Sequence, residues 1–307
     1  MSNFLLKGSF SVICCDYVTE FCTFAAAMTN HPLTRTLFVS DMDGTLMGGD
    51  SRVSARSVTI INDLVDHHGL LFTVATARTT ATVVPLMSPI HATLPMITLS
   101  GAVLWHPLLR QLTSPCGLSP SATRQVCDIC ERHGVRPMVY RQDGNMIVTH
   151  HYGALADYEQ AFIAARDHTP YKRFVLDDPG YAVSDRDALL VFAMSRGDAL
   201  QAVHADISRQ VDCTSIVYHD NTDPSLALLE VYAPGCSKAA AMQRLAHELG
   251  VDRVVAFGDN LNDMSMLRVA DHSVAVANAV PAVLEMADEV IGPNTDDSVA
   301  LYLIHNS

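Results

Sequence analysis

LFVSDMDGTLMGGD, residues 37–50, passes from four residues typical of a buried strand directly into two aspartates separated by one residue. The β-forming run Leu37–Ser40 predicts a short strand that ends just before Asp41. Asp43 follows after a single turn residue, and Gly44 allows the backbone to turn tightly. Because ligands of an open parallel sheet bind outside the carboxyl ends of its strands, this stretch predicts a functional site at one edge of a sheet.

The segments after this stretch alternate between strand and helix. Residues 54–68 carry apolar side chains at helical spacing and stop at Gly69; strands are predicted at 70–75 and 96–99, with a helix from Thr80 between them. Such alternation implies a parallel sheet with right-handed crossovers, so we predict an α/β fold with a Rossmann-like parallel-sheet core. The C-terminal part repeats the rhythm, with helix 237–249, strand 253–257, helix 262–269, strand 273–276, helix 281–287 and helix 297–305.

A different pattern separates these two halves. Between them, predicted helices alternate with pairs of strands, which indicates an inserted α+β domain. We therefore predict a catalytic core formed by residues 34–113 and 230–307, with 114–229 as the insert. Residues 1–33 hold an apolar patch interrupted by acidic residues, unlike a signal peptide, and are predicted to be an extension outside the core. The insert's predicted elements are helix 119–133, strands 136–140 and 145–150, helix 153–166, strand 189–194, helix 198–209 and strands 214–218 and 226–231.

The composition excludes several classes of partner. The 307 residues include 20 basic and 33 acidic side chains, which gives a formal charge of −13. Nucleic acids and anionic membranes bind to basic faces, so neither is predicted as a partner. No apolar run reaches the roughly 18 residues that a membrane-spanning helix needs. We predict a cytoplasmic protein, a monomer or weak homo-oligomer, whose partner is a small molecule.

Polar residues also follow the other strands of the predicted sheet. Thr76 and Arg78 come after the second strand, and Lys238 lies in the first turn of a C-terminal helix. The stretch GDNLND, residues 258–263, follows strand 253–257. Two like charges about 4 Å apart repel by about 4 kcal/mol at an effective dielectric of about 20, so aspartates gathered at one edge need a cation. Carboxylates suit Mg²⁺, and we predict a magnesium site made by Asp41, Asp43, Asp259 and Asp263.

These residue types are the ones that the transfer of a phosphate group requires. We assign Asp41 as a nucleophile that forms an aspartyl-phosphate, and Asp43 as the acid that protonates the leaving oxygen and later activates water. Lys238 offsets the repulsion between carboxylate and phosphate. The Gly44 N–H and the Thr76 hydroxyl are predicted phosphate contacts. Arg78 is predicted to be either a surface residue or a substrate contact. Asp263 supports the metal from behind Asp259.

Together these motifs resemble those of the haloacid dehalogenase superfamily of phosphohydrolases. D-x-D-G-T at 41–45, a strand-end threonine, a distant lysine and G-D-x-x-N-D at 258–263 occur in the family's order. The segments ITLSGAVLW, CSKAAAMQRL and FGDNLNDMSML resemble the Cof-type phosphatase branch, subclass IIB, in which an α+β cap is inserted between the second and third motifs. The resemblance covers nearly all of residues 34–307.

The resemblance implies how the metal and the phosphate are held. Asp41 would bind the metal through its side chain, Asp43 through its carbonyl, and Asp259 would complete the set. Asn262 would contact phosphate or metal-bound water. Ala77 occupies a position where the family usually has glycine. It lies beside the predicted phosphate site and keeps its N–H, so we expect activity to persist.

The predicted function is that of a Mg²⁺-dependent phosphatase acting on a small phosphorylated metabolite, a sugar phosphate or a phosphorylated cofactor. A phosphomutase or other phosphotransferase on the same fold, and a non-catalytic phosphate-sensing protein, are the alternatives. The cap would close over the site and select the leaving group. The cap residues considered as substrate contacts are Arg141, Tyr152, Asp185, Arg186 and His219.

Overall fold

Two β-sheets form the framework of the chain in the computed structural model, which describes residues 35–167, 169–220 and 223–307. The predicted extension, residues 1–33, lies outside the described residues. The strands are β1 Thr36–Ser40, β2 Leu71–Val74, β3 Met96–Thr98, β4 Val103–His106, β5 Gln111–Thr113, β6 Met138–Asp143, β7 Met146–His150, β8 Lys172–Val175, β9 Leu190–Arg196, β10 Thr214–His219, β11 Leu226–Tyr232, β12 Arg253–Gly258, β13 His272–Val276 and β14 Glu289–Ile291. The α-helices are α1 Ala55–His68, α2 Thr80–Met87, α3 Pro120–Arg132, α4 Asp157–Ala164, α5 Ala199–Gln210, α6 Lys238–Leu249, α7 Met264–Val269, α8 Pro281–Met286 and α9 Ser298–Asn306.

The first sheet is parallel and has the order β14-β13-β12-β1-β2. Strands β1 and β12 lie side by side at its centre, with Ser40 opposite Phe257. A single bridge between Ala75 and Ile97 continues the sheet from β2 to β3, which leads into the antiparallel meander β3-β4-β5. The α/β class with a parallel core is therefore confirmed. The central pair brings the carboxyl ends of two distant strands to the same place.

The second sheet has the order β10-β11-β9-β6-β7-β8, and only the β7–β8 pair in it is parallel. We call the part of the chain from α3 to β11 the cap. Helices α3 and α5 cover one face of its sheet, around a buried cluster that includes Val126, Val139 and Val203. Tyr140 and Phe192 belong instead to the hydrophobic cluster of the parallel sheet. The cap sheet therefore has an outer face under its helices and an inner face towards the core.

The predicted elements differ from the structure in both regions: strands β4, β5 and β14 of the core and β8 of the cap were not predicted. Strand β11 continues to Tyr232, so the predicted boundary between residues 229 and 230 falls inside a strand. Helix α4 begins at Asp157 rather than 153, because the Glu159 carboxylate accepts the Ala156 N–H and fixes the first turn there. By contrast, α1 has the predicted bounds, with Ser54 capping its start. Within the described residues, no helix combines the length and apolar character needed to cross a membrane.

The β4–β5 hairpin of the core touches the cap directly. The rings of Trp105 on β4 and Tyr171, just before β8, have centroids 4.7 Å apart. Arg110, in the hairpin turn, donates from Nη2 to the Tyr171 hydroxyl at 3.3 Å. Trp105 is buried, with 2% of its surface exposed. The β4–β5 hairpin of the core and the residue just before β8 of the cap thus pack against each other.

Candidate active site

The carboxyl ends of β1, β2 and β12 surround a cavity of about 340 Å³. Asp41 follows β1 directly, and its N–H donates to the Phe257 carbonyl at 3.0 Å, which ties the end of β1 to β12. The residues that line the cavity are Asp41, Asp43, Gly44, Thr76, Ala77, Asp259, Asn260 and Asn262. Seven of these eight residues come from the predicted site.

Lys238 lies behind the cavity with 2% of its side chain exposed. It is the first residue of α6, whose start is capped by the Ser237 hydroxyl accepting the Ala240 N–H. Its Nζ donates to Asp41 Oδ1 at 2.5 Å and to Asp263 Oδ1 at 2.8 Å. The helix start therefore fixes one ammonium group between two carboxylates.

Asp263 organises the loop after β12. It is fully buried, and its Oδ2 accepts the N–H groups of Asp259 and Asn260, both at 3.1 Å. A Cβ added to Gly258 would come within 2.7 Å of the Asp263 Cβ, so only glycine fits against this side chain. With Lys238 on its other oxygen, Asp263 already accepts three hydrogen bonds. These contacts orient Asp259 and Lys238 towards the cavity.

The buried cluster of Asp41, Asp259, Asp263 and Lys238 has more negative than positive groups. Ligand oxygens of Asp41, Asp259 and Asp263 lie within 4.8 Å of one another, a grouping that could hold a metal ion. The pKa of Asp41 is raised to about 7: burial is the main cause, Lys238 opposes it, and the charges of Asp263 and Asp259 add to it. Burial also raises the pKa of Asp259. Burial disfavours the charge of Lys238 too, but Asp41 and Asp263 outweigh it and raise its pKa. Three carboxylates share one ammonium, so the donor set fits a divalent cation.

Asp43 lies at the mouth of the cavity, apart from this buried cluster. About half of its side chain is exposed, and Arg78 holds both of its oxygens, with Nε to Oδ2 at 2.6 Å and Nη2 to Oδ1 at 2.5 Å. Arg78 therefore contacts a carboxylate of the predicted site, although it does not itself line the cavity. This two-pronged contact from Arg78 holds the Asp43 carboxylate over the cavity.

The turn after Asp43 requires glycine for two reasons. Gly44 has φ +83°, and a Cβ there would lie 2.5 Å from Asp259 Oδ2. The next residue, Thr45, is buried and donates its hydroxyl to Asp259 Oδ1 at 2.7 Å. Asn278 donates from Nδ2 to the Gly44 carbonyl at 2.8 Å. The loop after β1 is thus bonded to Asp259 through Thr45 and to the segment after β13 through Asn278.

The loop after β2 contributes Thr76 and Ala77. The buried Thr76 hydroxyl accepts the Arg78 N–H at 3.1 Å. Helix α2 begins only at Thr80, so the N–H groups nearest the cavity belong to this loop rather than to a helix start. The methyl group of Ala77 is exposed at the cavity wall.

Several residues at or near this site were not predicted. Thr45 could have been found, since it completes D-x-D-G-T, whereas nothing in the sequence around Asn278 indicates its role. Glu230, on the inner face of the cap, accepts hydrogen bonds from the hydroxyls of Tyr218 and Tyr232 at 2.8 and 2.9 Å. Burial raises the pKa of Glu230, while the charge of Lys238 lowers it. The sequence signal for Glu230 was a single acidic residue within the otherwise apolar run LALLEVY.

The cap also buries a lysine on its inner face. Lys172 Nζ lies 3.3 Å from the Tyr140 hydroxyl, and 4.5 and 4.7 Å from the ring centroids of Tyr140 and Phe174. Burial, together with the charge of Arg166, lowers the pKa of Lys172 to about 7. None of the five cap residues considered as substrate contacts lines the catalytic cavity, and Arg141 and Arg186 line a different one.

Comparison with known proteins gives consistent matches along most of the chain. The sequence model of the haloacid dehalogenase-like hydrolase family matches residues 38–303. The 5-amino-6-(5-phospho-D-ribitylamino)uracil phosphatase YitU of Bacillus subtilis is 25% identical over 87% of this chain and 96% of its own. An HMP-PP phosphatase of Serratia proteamaculans is 27% identical, over 86% and 93% of the two chains. The crystal structure of a haloacid dehalogenase-like hydrolase from Bacteroides thetaiotaomicron superposes with a TM-score of 0.71 at 22% identity, covering 88% of this chain and 99% of that one, which shows a shared fold.

Proposed function

The chain belongs to the haloacid dehalogenase-like hydrolases, and from that membership we propose that it is a Mg²⁺-dependent phosphatase working through an aspartyl-phosphate on Asp41. The enzyme class is a phosphatase, as for the named relatives. The observation that supports the mechanism is the buried group of Asp41, Asp259 and Asp263 with a single lysine. The net negative charge of this cluster favours a metal ion, and the bound ion would in turn favour a phosphate group beside it.

In the proposed reaction, Asp41 attacks phosphorus and displaces the leaving oxygen. Lys238 holds Asp41 Oδ1, so the other carboxylate oxygen is the one free to attack. Asp43 gives a proton to the leaving oxygen and then takes one from the water that hydrolyses the phosphoenzyme. Arg78 keeps the Asp43 carboxylate in position for both transfers.

The other residues of the cavity bind and orient the phosphate. The Thr76 hydroxyl, the backbone of Gly44 and Ala77, and the Asn262 side chain lie around the cavity and supply donors for phosphate oxygens. Asp41, the Asp43 carbonyl and Asp259 would hold Mg²⁺, which supplies positive charge to the transferring group. We assign Asp263 a positioning role, because its oxygens already accept hydrogen bonds from Lys238 and the loop N–H groups.

The substrate class is a small phosphorylated metabolite. The two named relatives act on a phosphoribitylamino-uracil and on HMP-PP, as their names state, and both are compact phosphorylated compounds. In this chain the inner cap face presents Glu230 with two tyrosine hydroxyls. A leaving group with hydroxyl or amino groups, such as a sugar or a cofactor precursor, suits these acceptors and donors.

A screen of phosphorylated metabolites for released phosphate tests this proposal. With the best substrate, Asp41→Asn should reduce phosphate release by about a thousandfold or more, because the amide keeps the shape but not the nucleophile. The matched control is Asp50→Asn, the same change at an exposed position of the same stretch, which should leave the rate unaltered. Near-normal release by Asp41→Asn would exclude the aspartyl-phosphate. Isomerised substrate without free phosphate would point to a phosphomutase.

A further inference from the structure

Two chain segments join the core to the cap, and each of them contains one cysteine. Residues 114–119 lead from β5 into α3, and residues 233–237 lead from β11 back to α6. Cys116 lies in the first segment and Cys236 in the second, and both are free thiols. Neither cysteine has a part in the proposed reaction, although Cys236 is two positions before Lys238.

The same short stretch of the core contacts both segments. The Cys116 N–H donates to the Ala102 carbonyl at 2.7 Å. A Cβ added to Gly101, the residue before Ala102, would lie 2.3 Å from the Ser237 carbonyl oxygen, so the second segment runs directly against Gly101. The two segments therefore lie close together in space, although the whole cap separates them in the sequence.

The two thiol groups face each other between these segments. Cys236 is buried in the hydrophobic cluster of the parallel sheet, and Cys116 packs against the same cluster. The pKa of Cys236 is raised to about 12: burial is the main cause, and the charge of the Cys116 thiol and a hydrogen bond with it add to the effect. Cys116 is only partly buried, so a small reagent in solvent can reach one member of the pair.

The other cysteine pair of the cap lacks this access. Cys127 and Cys130 lie on α3 and are both fully buried beneath it, in the cluster on the outer face of the cap sheet. Burial raises the pKa of both thiols. A thiol that is buried and protonated does not react with solutes, so this pair serves as an internal reference for the pair between the two segments.

We propose that Cys116 and Cys236 form a reversible disulfide that ties together the two connections between core and cap. In a reducing compartment the pair stays as two thiols, and a rise in small soluble disulfides converts it to the crosslinked form. The crosslink is a modification of the protein and needs no bound metal or substrate.

The bond forms by thiol–disulfide exchange with a small disulfide such as oxidised glutathione. The Cys116 thiolate attacks one sulfur of that disulfide, which releases one thiolate and leaves a mixed disulfide on Cys116. Cys236 then loses its proton and attacks Cys116 Sγ, which releases the second thiolate. The protein gives up two electrons and two protons, and the small disulfide becomes two thiols. Because the pKa of Cys236 is raised, the second step should become faster as the pH rises.

The crosslink restrains the movement of the cap. Rotation of an inserted domain requires changes of backbone angle in the segments that connect it, and a disulfide between the two segments restrains both at once. We expect the oxidised protein to release phosphate about tenfold more slowly than the reduced protein. This effect on turnover rests on the proposed function, whereas formation of the bond does not.

Incubation of the full chain with oxidised glutathione at pH 8.5, followed by alkylation and peptide mass mapping, tests the proposal. A peptide pair linked through Cys116 and Cys236 should appear. The melting temperature should rise by about 5 °C, because the crosslink closes a loop around the whole cap. Dithiothreitol should reverse both changes. Cys116→Ser should abolish them, and the matched control Cys213→Ser, at another partly buried cysteine of the cap, should retain them.

Cys236→Ser provides the same test from the other thiol, so the result does not depend on one variant folding. Absence of the linked peptides from the unaltered protein overturns the proposal, as does a rise in melting temperature that persists in both serine variants. Linked peptides without a change in phosphate release would overturn the restraint on the cap. Peptide mapping and melting need no substrate, so a protein that forms the crosslink but releases no phosphate from any compound would contradict the proposed function alone.

Discussion

In the core, Lys238 and Arg78 each contact carboxylates, whereas in the cap Lys172 and Arg141 are buried with no ion pair in the described residues. Lys238 has two carboxylate partners, while Lys172 has a tyrosine hydroxyl and aromatic rings. The core therefore carries buried negative charge in excess, which favours a cation. In the cap, these two buried cations lie without a carboxylate bonded to them, which disfavours folding.

The difference between the two regions also appears in the pKa shifts of their buried groups. Burial raises the pKa of Asp41 because one lysine does not compensate three carboxylates, so a cation stabilises the core. Burial lowers the pKa of Lys172, and the charge of Arg166 adds to this effect; burial also lowers the pKa of Arg141, which the charge of Asp178 opposes only in part. The same substitutions made in the two regions should therefore have opposite effects.

The largest effect is expected for Lys238→Met. Removing the ammonium leaves Asp41 and Asp263 without their shared partner, which should lower the free energy of unfolding by about 3 kcal/mol at pH 8. Phosphate release should fall by about a thousandfold. The loss of stability should shrink at lower pH, since carboxyls with raised pKa values take up protons in the folded state. Unfolding curves at pH 6 and pH 8 measure this, and equal stability to the unaltered protein would remove the argument for a charge excess.

Exchange of the metal is expected to have the next largest effect. Mg²⁺ prefers octahedral coordination at about 2.0–2.1 Å, whereas Ca²⁺ accepts 6–8 oxygens at about 2.3–2.6 Å. Ca²⁺ can take both Asp41 oxygens and leave none to attack phosphorus. Phosphate release should need Mg²⁺, fall about a hundredfold with Ca²⁺ alone, and recover as Mg²⁺ is raised. Full activity in chelator would contradict the assignment of Asp41 and Asp259 as metal ligands.

Arg78→Lys tests whether a two-pronged arginine contact matters in the core. Lysine keeps the charge but cannot hold both Asp43 oxygens, so turnover should fall by about tenfold with stability unaltered. Because Asp43 acts on protons, the pH profile of kcat should also change shape, which a purely structural contact would not cause. Arg56→Lys, at an exposed arginine of α1, is the control and should leave the profile as it is. An unaltered profile in Arg78→Lys would mean that Asp43 needs no positioning.

The smallest effect, and one of opposite sign to Lys238→Met, is expected for Lys172→Met. Because the pKa of Lys172 is lowered in the folded state, the unfolded chain binds more protons between about pH 7 and pH 10, and stability rises with pH there. The substitution should remove that dependence and stabilise the protein by on the order of 2 kcal/mol at pH 7. Melting temperatures from pH 7 to 10 decide this. A lower melting temperature at pH 7 would show that Lys172 has an anionic partner.

Much of the core could be predicted from the sequence because its signals are local. The strand before Asp41, the caps of α1 and the strand-end position of Asp259 each depend on a few neighbouring residues. Strands β4, β5, β8 and β14 were not predicted, since each has only three or four residues and owes its conformation to neighbouring strands. The predicted site residues do gather at one sheet edge.

The pairings within the sites could not be predicted. Lys238 and Asp41 are 197 positions apart, and nothing local shows that Asp43 pairs with Arg78 rather than pointing into the metal cluster. The hydrogen bond from Arg141 to the Tyr181 carbonyl depends on where the loop after β8 lies across the cap sheet. Such pairings follow from tertiary placement of side chains, which a strand-and-helix pattern does not contain.

The contact between Trp105 and Tyr171 provides an intrinsic fluorescence probe of cap movement. Trp105 is the only tryptophan in the sequence, and it lies where the β4–β5 hairpin meets the cap. Any rotation of the cap that parts these two rings admits water to the indole and shifts its emission to longer wavelength. Stopped-flow fluorescence can therefore time cap opening without an added dye, with Tyr171→Phe as a probe that retains the ring but lacks the hydroxyl bonded to Arg110.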